Sequence, residues 1–463
     1  MDLIYSRSIR ALRPSSPRRH HRRPSAMDPA KAFMVMEVLL KDPDRLADAD
    51  GAPGPTWERI YCSRKVAYGC GKHERKLVEG LTLYVRRRDH PNLTSSMTIR
   101  LSDEAGRSVK AELGASRSRV ESLGFVKIAN QGLLVLHVTF RVHALSRCEY
   151  YLVYDSTDAS LYMIPCLPTD DELVASFTST PVPRRVGDGG QDPQLQLVLM
   201  AHWIWPHQRD RDLLCLCTPA TSSSSGIVTD TWVTRVRRFP HLPGSFKADL
   251  MFSFEGKVVW ADLSRGLAYC DLRGVTGNSA VQFDFIELPY GYQILSEDLP
   301  EEDELTEPPE MNRTIGCVGG CIKFICIDRP RNHPANVMVR AWTLDLRRME
   351  WKAEKGLLWK ELWKQVEFMF IMDHAELWDV EPRYPVLMPD ETLCLVLRDM
   401  RPRRREPPVE VDRICRFDMR SKRPLWDGIV RYYDTMWPVI LPANFFTTKG
   451  FRESKLPARK RKR

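Results

Sequence analysis

Leu250-Met-Phe-Ser-Phe254, Lys257-Val-Val-Trp-Ala-Asp262, Leu267-Ala-Tyr-Cys-Asp271 and Val281-Gln-Phe-Asp-Phe-Ile286 follow one another closely. Each run has the length and the apolar, β-branched or aromatic content of a strand. Glu255-Gly256 supplies a tight turn between the first two. Ser264-Arg265-Gly266 supplies a three-residue turn, with glycine available for a left-handed backbone. Four antiparallel strands in ~40 residues is the content of one propeller blade. The second run is apolar without strict alternation, as expected of a strand covered on both faces. Trp260 is therefore read as a core residue.

Similar pieces recur on either side. Tyr150-Tyr-Leu-Val-Tyr154 leads through Asp155 to Leu161-Tyr-Met-Ile164. Val337 to Leu344 leads through Asp345 to Met349-Glu-Trp351, and Arg413 to Phe417 leads through Asp418 to Leu425-Trp426. Each is a strand, an aspartate at the turn entrance and an apolar return strand. Aspartate suits that place because its carboxylate accepts from a backbone N–H two residues on. Asp271, Asp345 and Asp418 are spaced by 74 and 73 residues, and Asp155 precedes Asp271 by 116. Divided by blades of ~37–39 residues, these spacings read as two, two and three blades.

Farther out, Leu81–Val85 and Met97–Leu101 read as strands. Gly356 to Phe370 has helical spacing of Leu357, Leu358, Leu362, Trp363, Val366 and Phe370. Lys31 to Leu40 is read as a short helix stopped by Pro43. Glu297 to Glu310 carries eight acids and three prolines and reads as a mobile insertion. Ser222–Ser225 and Arg401–Pro408 read as loops. The organisation that follows has three parts. Residues 1–56 form a disordered or weakly helical extension and linker. Residues 57–451 form a mainly β, propeller-like body, with its characteristic motifs in 150–290 and the acidic insertion at 297–310. Residues 452–463 form a basic tail.

Composition agrees with such a body. Hydrophobic residues make up 43% of the 463 residues, enough for a large core, and 33 prolines against 25 glycines favour many short elements. No apolar run reaches the ~18 residues of a membrane helix. The 12 cysteines are scattered and read as reduced thiols. The net charge of +9 gathers at the ends: Arg7 to Arg23 at the start, and Arg459, Lys460, Arg461, Lys462 and Arg463 at the finish. A balanced body with basic ends makes nucleic acid an unlikely partner. The final run is a candidate nuclear import signal. The Arg- and Ser-rich start admits three readings: a disordered extension, an organelle transit peptide, or leader sequence before initiation at Met27. The expected location is nucleus or cytoplasm, with mitochondrion or plastid as the alternative.

Site chemistry is scarce. Cys62, Cys70 and His73 lie close together, as do Cys317, Cys321 and Cys326, but neither group has the paired Cys-x-x-Cys spacing of a structural zinc site. There is no Gly-x-Ser-x-Gly elbow, and His202 and His207 have no marked nucleophile. Gly316-Cys-Val-Gly-Gly320 precedes a strand, whereas a phosphate loop follows one, so it reads as a β-turn. The expectation is no catalytic residue, no metal and no cofactor.

The segment Trp260-Ala-Asp262-Leu263-Ser-Arg-Gly266-Leu-Ala-Tyr-Cys270-Asp271, followed by Phe285-Ile-Glu-Leu288-Pro289, resembles the core motif of a family known as domain of unknown function 1618, greatly expanded in grasses. Tyr154 and Asp155, with Leu161 to Pro165, resemble its upstream segment, and Trp57 is similar to its N-terminal tryptophan. The resemblance runs over 57–440. It also extends to propeller-like regions of plant F-box proteins, although residues 28–56 lack an F-box pattern. It implies a plant protein with no assigned activity. Two functional expectations precede the structure. The first is a non-enzymatic interaction module with an unidentified protein partner and no membrane. The second is a ubiquitin-ligase substrate adaptor that takes its F-box from another chain. Behind both stands an enzyme whose active site is distributed in the propeller channel.

Overall fold

The computed structural model describes residues 33–449 apart from 38, 41–56, 69–71, 89–93, 115–118, 144–145, 168–172, 176–179, 187–193, 204–212, 219–231, 239–245, 274–280, 295–306, 330–335, 370–379, 389, 400–410 and 432–438. Within them the strands group into six mainly antiparallel blades. The first blade draws on both ends of the chain. It contains β1 (Phe33–Met36), β2 (Glu58–Ile60), β4 (Leu81–Arg86), β5 (Thr94–Leu101), β28 (Val439–Pro442) and β29 (Thr448–Lys449), in the order β28-β1-β5-β4-β2-β29. Helices α1 (Lys72–Gly80) and α2 (Asp103–Glu112) pack beside it. The second blade runs β6 (Glu121–Asn130), β7 (Leu133–His143), β8 (Ser146–Asp155) and β9 (Ser160–Pro165), with β3 (Arg64–Ala67) parallel to β9 at its outer edge.

In the third blade β12 (Gln194–Trp203) carries both β10 (Leu173–Ala175) and β11 (Val182–Val186), then β13 (Leu213–Cys217) and β14 (Val233–Arg238) follow. The fourth is β15 (Leu250–Phe254), β16 (Lys257–Asp262), β17 (Gly266–Asp271) and β18 (Val281–Glu287). The fifth follows the short helix α3 (Pro309–Asn312). It is β19 (Arg313–Val318), β20 (Cys321–Asp328), β21 (Met338–Asp345) and β22 (Glu350–Ala353), with β23 (Leu357–Leu358) also on β21. After α4 (Trp359–Met369) comes the sixth, β24 (Val380–Leu387), β25 (Thr392–Asp399), β26 (Val411–Asp418) and β27 (Arg423–Arg431). The inner strands touch in sequence around an axis: β28 to β6, β6 to β11, β11 to β15, β15 to β19 and β19 to β24.

Six apolar clusters fill the six junctions, and they prove the ring closed. Alternation along each strand sends neighbouring residues to opposite blades. On β7, Leu134 and Leu136 face the first blade, while Leu133 and Val135 face the third. On β16, Val258 and Trp260 meet Val198 and Leu214 of the third blade, and Val259 and Ala261 meet Phe324 and Trp342 of the fifth. Val339 and Trp359 meet Leu395 and Phe417 across the next junction. Val396 and Ile414 meet Val35 and Ile440 across the last. This is a six-bladed β-propeller, mainly β as expected.

Three sequence expectations change. Within Lys31–Leu40 the described Phe33–Met36 is a strand, not helix: β1 pairs antiparallel with β28 and parallel with β5. A short apolar run such as Phe33-Met-Val-Met36 fits either state, and its deciding partners lie some 400 residues away. The folded body therefore begins before residue 57. The blade count also changes. Asp155, Asp271, Asp345 and Asp418 each end the third strand of a blade, in the second, fourth, fifth and sixth. A spacing of 74 is thus one blade and 116 is two. The period was underestimated because the linkers are long, such as the 25 residues between Glu287 and Arg313. The aspartate chemistry itself holds. Each accepts from the backbone N–H two residues on: Thr157 at 2.8 Å, Arg273 at 2.9 Å, Arg347 at 3.1 Å and Arg420 at 2.8 Å.

Gly266 is the third change. It does not take a left-handed backbone. It is needed because β17 and β18 approach closely there: a Cβ would lie 2.2 Å from the Ile286 carbonyl oxygen and 3.0 Å from the Glu287 Cα. Gly266→Ala is expected to cost about 3 kcal/mol, the upper part of the range for overpacking, because backbone rather than a flexible tip must move. A denaturation midpoint equal to that of the parent chain would refute this close approach. Among the left-handed residues are Glu255 (φ 47°) and Gly256 (φ 80°), and Gly319 (φ 57°) and Gly320 (φ 74°), so the glycine-rich Gly316–Gly320 segment ends in a hairpin turn. Of the helix expected over 356–370, Trp359–Met369 is present as α4, whereas Leu357 and Leu358 form the short strand β23.

Candidate functional site

A cavity of about 480 Å³ opens at the end of the fifth blade, where β19 begins, β20 ends and β21 begins. Its polar lining includes Glu307, Asn312, Arg313, Asp328, Arg329 and Arg340. Strand ends place these side chains, since Asp328 closes β20 and Arg313 opens β19. The linker from the fourth blade supplies Ile294, Glu307 and Asn312. Behind them stands β24, with Glu381 and Arg383.

The residues resembling the family motif build the wall from behind. Asp262 is buried, and its carboxylate accepts from the N–H groups of Lys247 at 2.9 Å, Ser264 at 2.8 Å and Arg265 at 3.1 Å. That fixes the turn 263–265, which then holds the outgoing linker: Leu288 N–H donates to the Arg265 carbonyl at 2.9 Å and Ile294 N–H to the Ser264 carbonyl at 2.8 Å. Arg313 completes the clamp by donating to the carbonyls of Leu263 at 2.8 Å and Tyr292 at 2.7 Å. The Leu263 N–H in turn donates to Asp249 at 2.9 Å. Burial pushes the Asp249 carboxyl up, opposed by that bond and by Lys247.

The other motif residues sit in core or turns. Trp260 is 0% exposed and lies against Phe283 with ring centres 5.5 Å apart. Cys270 shares that cluster, and Leu263 and Leu288 enter the next one. Pro289 is buried at the start of the linker. Asp271 binds Lys257 at 3.1 Å and Arg273. Those bonds, the Arg273 contact first, hold its carboxyl well below the usual range. Tyr154 packs on Phe445 and Phe446 of the closing segment. Asp155 joins the second blade to the third through Arg185, with contacts of 2.8 and 2.7 Å. Burial pushes the Asp155 carboxyl up, but the bonds from Arg185 and Thr157 outweigh it and bring it below its ordinary value. Arg459, Lys460, Arg461, Lys462 and Arg463 lie outside the described residues, as do 297–306, Arg401–Pro408, Ser222–Ser225 and Cys70.

Charge in the cavity is dense and nearly matched. Arg329 faces Glu381 at 2.9 Å and Glu307 at 3.2 Å, and also donates to the Asn312 side chain and the Pro382 carbonyl. Burial pulls its guanidinium down, while Glu381 and Glu307 pull it up. Arg383 holds Glu381 at 2.5 Å and reaches Glu307 at 3.6 Å. Asp328 takes Arg340 at 2.6 Å and the Tyr292 hydroxyl at 2.9 Å. Burial, then Asp328, raises the Tyr292 phenol far above its usual range, so it stays a donor. Four guanidinium groups (Arg313, Arg329, Arg340, Arg383) thus meet three carboxylates (Glu307, Asp328, Glu381). Glu307 and Arg340 are the open members, at 45% and 47% side-chain exposure.

Glu307 to Glu310 corrects part of the acidic-insertion reading. Its final residues are docked: Glu307 sits on Arg329 and Arg383, and Pro309 and Glu310 open α3. The arginines of the cavity carried no motif. They come from β19, β21 and β24 and from the residue after β20, and only the register brings them together. Cys321 and Cys326, grouped in the sequence, are five residues apart along β20 and do not converge with Cys317 on a metal geometry among the described residues.

Two comparisons bear on this region. A family model described as Protein of unknown function (DUF1618) matches residues 260–394, which include the turn at 262–266 and every residue lining the cavity. The match covers part of the 57–440 span over which the resemblance was read. No curated protein matches the chain. Among solved structures, the chain is similar to the WD40 domain of SCAP from fission yeast, at 8% identity and a TM-score of 0.24, over 76% of this chain and 70% of that one. The propeller assignment stands on the strand pairing and the six junction clusters. Among the described residues no helix is long and apolar enough to cross a membrane.

Proposed function

We propose that this chain is a non-enzymatic protein-interaction module, and that the fifth-blade cavity takes an acidic side chain or a terminal carboxylate of its partner. What carries the reading is the excess of guanidinium over carboxylate, with the open carboxylate, Glu307, borne by a linker and not by a strand. An arriving carboxylate replaces Glu307 on Arg329 and Arg383 and gains Arg340 at the rim. Arginine suits this exchange because its planar fork binds carboxylates in pairs of hydrogen bonds. Propellers commonly bind partners at the ends of their strands and loops. Substrate adaptor for a ubiquitin ligase, with the F-box on another chain, is a narrower form of the same reading. Proximity labelling that recovers ligase scaffold subunits would separate it. Import into the nucleus through Arg459–Arg463 is a companion proposal from the sequence.

The test uses a hexaglutamate peptide and the full chain at low salt. A hydrogen bond to a charged group contributes about 1.5–3 kcal/mol, so Arg340→Ala should weaken binding at least about tenfold. Glu307→Gln should tighten it, because the competing carboxylate is gone. Arg340 is half exposed, so its loss should leave the melting temperature within a few degrees. Equal affinity in all three proteins would sink the cavity as the binding site.

A further inference from the structure

His137 lies on β7, Glu149 on β8 and Cys166 directly after β9 in the second blade, far from the cavity. The register places them on one face. His137 pairs with Tyr151, which pairs with Ile164; Glu149 lies two residues before Tyr151 and Cys166 two after Ile164. Side chains alternate along strands, so all three point the same way. That face is the one packed on the third blade, where Tyr151, Ile164 and Leu167 join Leu197 and Cys215. The Cys166 N–H donates to the Glu149 carbonyl at 3.1 Å, extending the ladder and setting two of the three side chains across from each other.

We propose that His137, Glu149 and Cys166 form a binding site for a divalent transition-metal cation of the zinc type. Their donor atoms all lie within 4.8 Å of one another, and His137 Nε2 is 3.6 Å from a Glu149 carboxylate oxygen. Zinc–ligand bonds of about 2.0–2.3 Å in a tetrahedron put donors roughly 3.3–3.7 Å apart. The histidine–glutamate distance already satisfies this, and the Cys166 Sγ lies within 4.8 Å of both other donors. One imidazole, one carboxylate and one thiolate neutralise a divalent charge. Three protein ligands leave a fourth position open, and the half-buried His137 and Glu149 side chains leave it reachable by water or by a partner's side chain.

The surroundings orient the set. Arg147 Nε holds the other Glu149 oxygen at 3.0 Å, leaving the first free for the ion. The Tyr151 ring lies 5.7 Å from the His137 ring, and Tyr151 is a hydrogen-bond partner of Cys166. Burial, then the Glu149 charge, pushes the Cys166 thiol up, and Tyr151 and Lys127 oppose them more weakly. Burial keeps the thiol protonated in the metal-free chain, and cation binding displaces that proton, as it does for any thiol ligand. Sequence spacing hides this site, because its members are 12 and 17 residues apart and only strand pairing aligns them.

The test titrates the full chain with Co²⁺ alone, then with Zn²⁺ in competition. One equivalent should bind, with a thiolate-to-cobalt charge-transfer band that Zn²⁺ removes. Cys166→Ser should abolish the band. His137→Ala and Glu149→Gln should each weaken affinity at least about tenfold. Cys62→Ser, which lies outside the group, should leave both readouts unchanged. Absence of a band in the full chain overturns the proposal. So does a band that survives Cys166→Ser, since another of the scattered cysteines would then be the ligand. Glu149→Gln keeps the shape of the side chain, so it decides the matter if His137→Ala fails to fold.

Discussion

Replacing Trp260 by alanine is expected to destabilise the protein by about 3–5 kcal/mol. The indole is fully buried between the third and fourth blades, against Phe283, Val198 and Leu214. Truncation opens a cavity that these neighbours cannot fill, because each is held in its own strand. It also loosens β16, which places Asp262 and so the turn under the fifth-blade cavity. Thermal melting should show the loss, and peptide binding should weaken at temperatures where the variant is still folded. A variant melting like the parent chain would mean that the junction repacks freely. Total stabilities of about 5–15 kcal/mol make this one side chain a sizeable fraction of the whole.

A larger effect is expected on excising residues 439–449. This segment carries β28 and β29, which pair with β1 and β2. It also carries Leu441, Phe445 and Phe446, all buried in the cluster between the first and second blades. Burying a large apolar side chain contributes about 1.5–3 kcal/mol, so three such losses amount to about 5–9. The backbone N–H of Tyr61 also loses its 2.7 Å bond to the Thr447 carbonyl. Together these match the stability of an ordinary domain. The expected result is a chain with no cooperative melt and an expanded elution profile. A cooperative transition within a few degrees of the intact chain would show that the ring holds without its closing strands. Phe446→Ala is the graded version and should cost about 3–5 kcal/mol.

Much of the architecture was legible in the sequence where structure is local. The 250–286 hairpins, the aspartate turns and α4 all depend on residues within a few positions of one another. Trp260 was readable as core because its strand is apolar on both faces. What was hidden depends on distance. β1 looked helical because its partner β28 lies at the other end of the chain. The blade period was misjudged because linker length is not encoded in strand spacing. Gly266 was correctly singled out for the wrong reason: its role is set by β18, across the sheet, and not by its own backbone angle. The cavity was illegible for a related reason. Arg313, Arg329, Arg340 and Arg383 look like ordinary solvated charges in sequence, and only the register converges them. The motif residues around Asp262 were legible as structural, and the geometry adds that they support the cavity wall.

The closing blade also sets a clock. Met36 and Val439 are separated by about 400 residues. At about 5–20 residues per second, ribosomal synthesis leaves roughly 20–80 seconds between the emergence of β1 and that of β28. During that interval β1 offers one unsatisfied edge to any passing strand. Hairpins of the middle blades can form as they emerge, since their pairings are between neighbours. The ring can close only after β28 has emerged, and that step joins the earliest described strand to one of the latest. Newly made chains therefore pass through a long-lived open arc, the stage at which chaperones would engage this protein and at which strand exchange between two nascent copies would compete with closure.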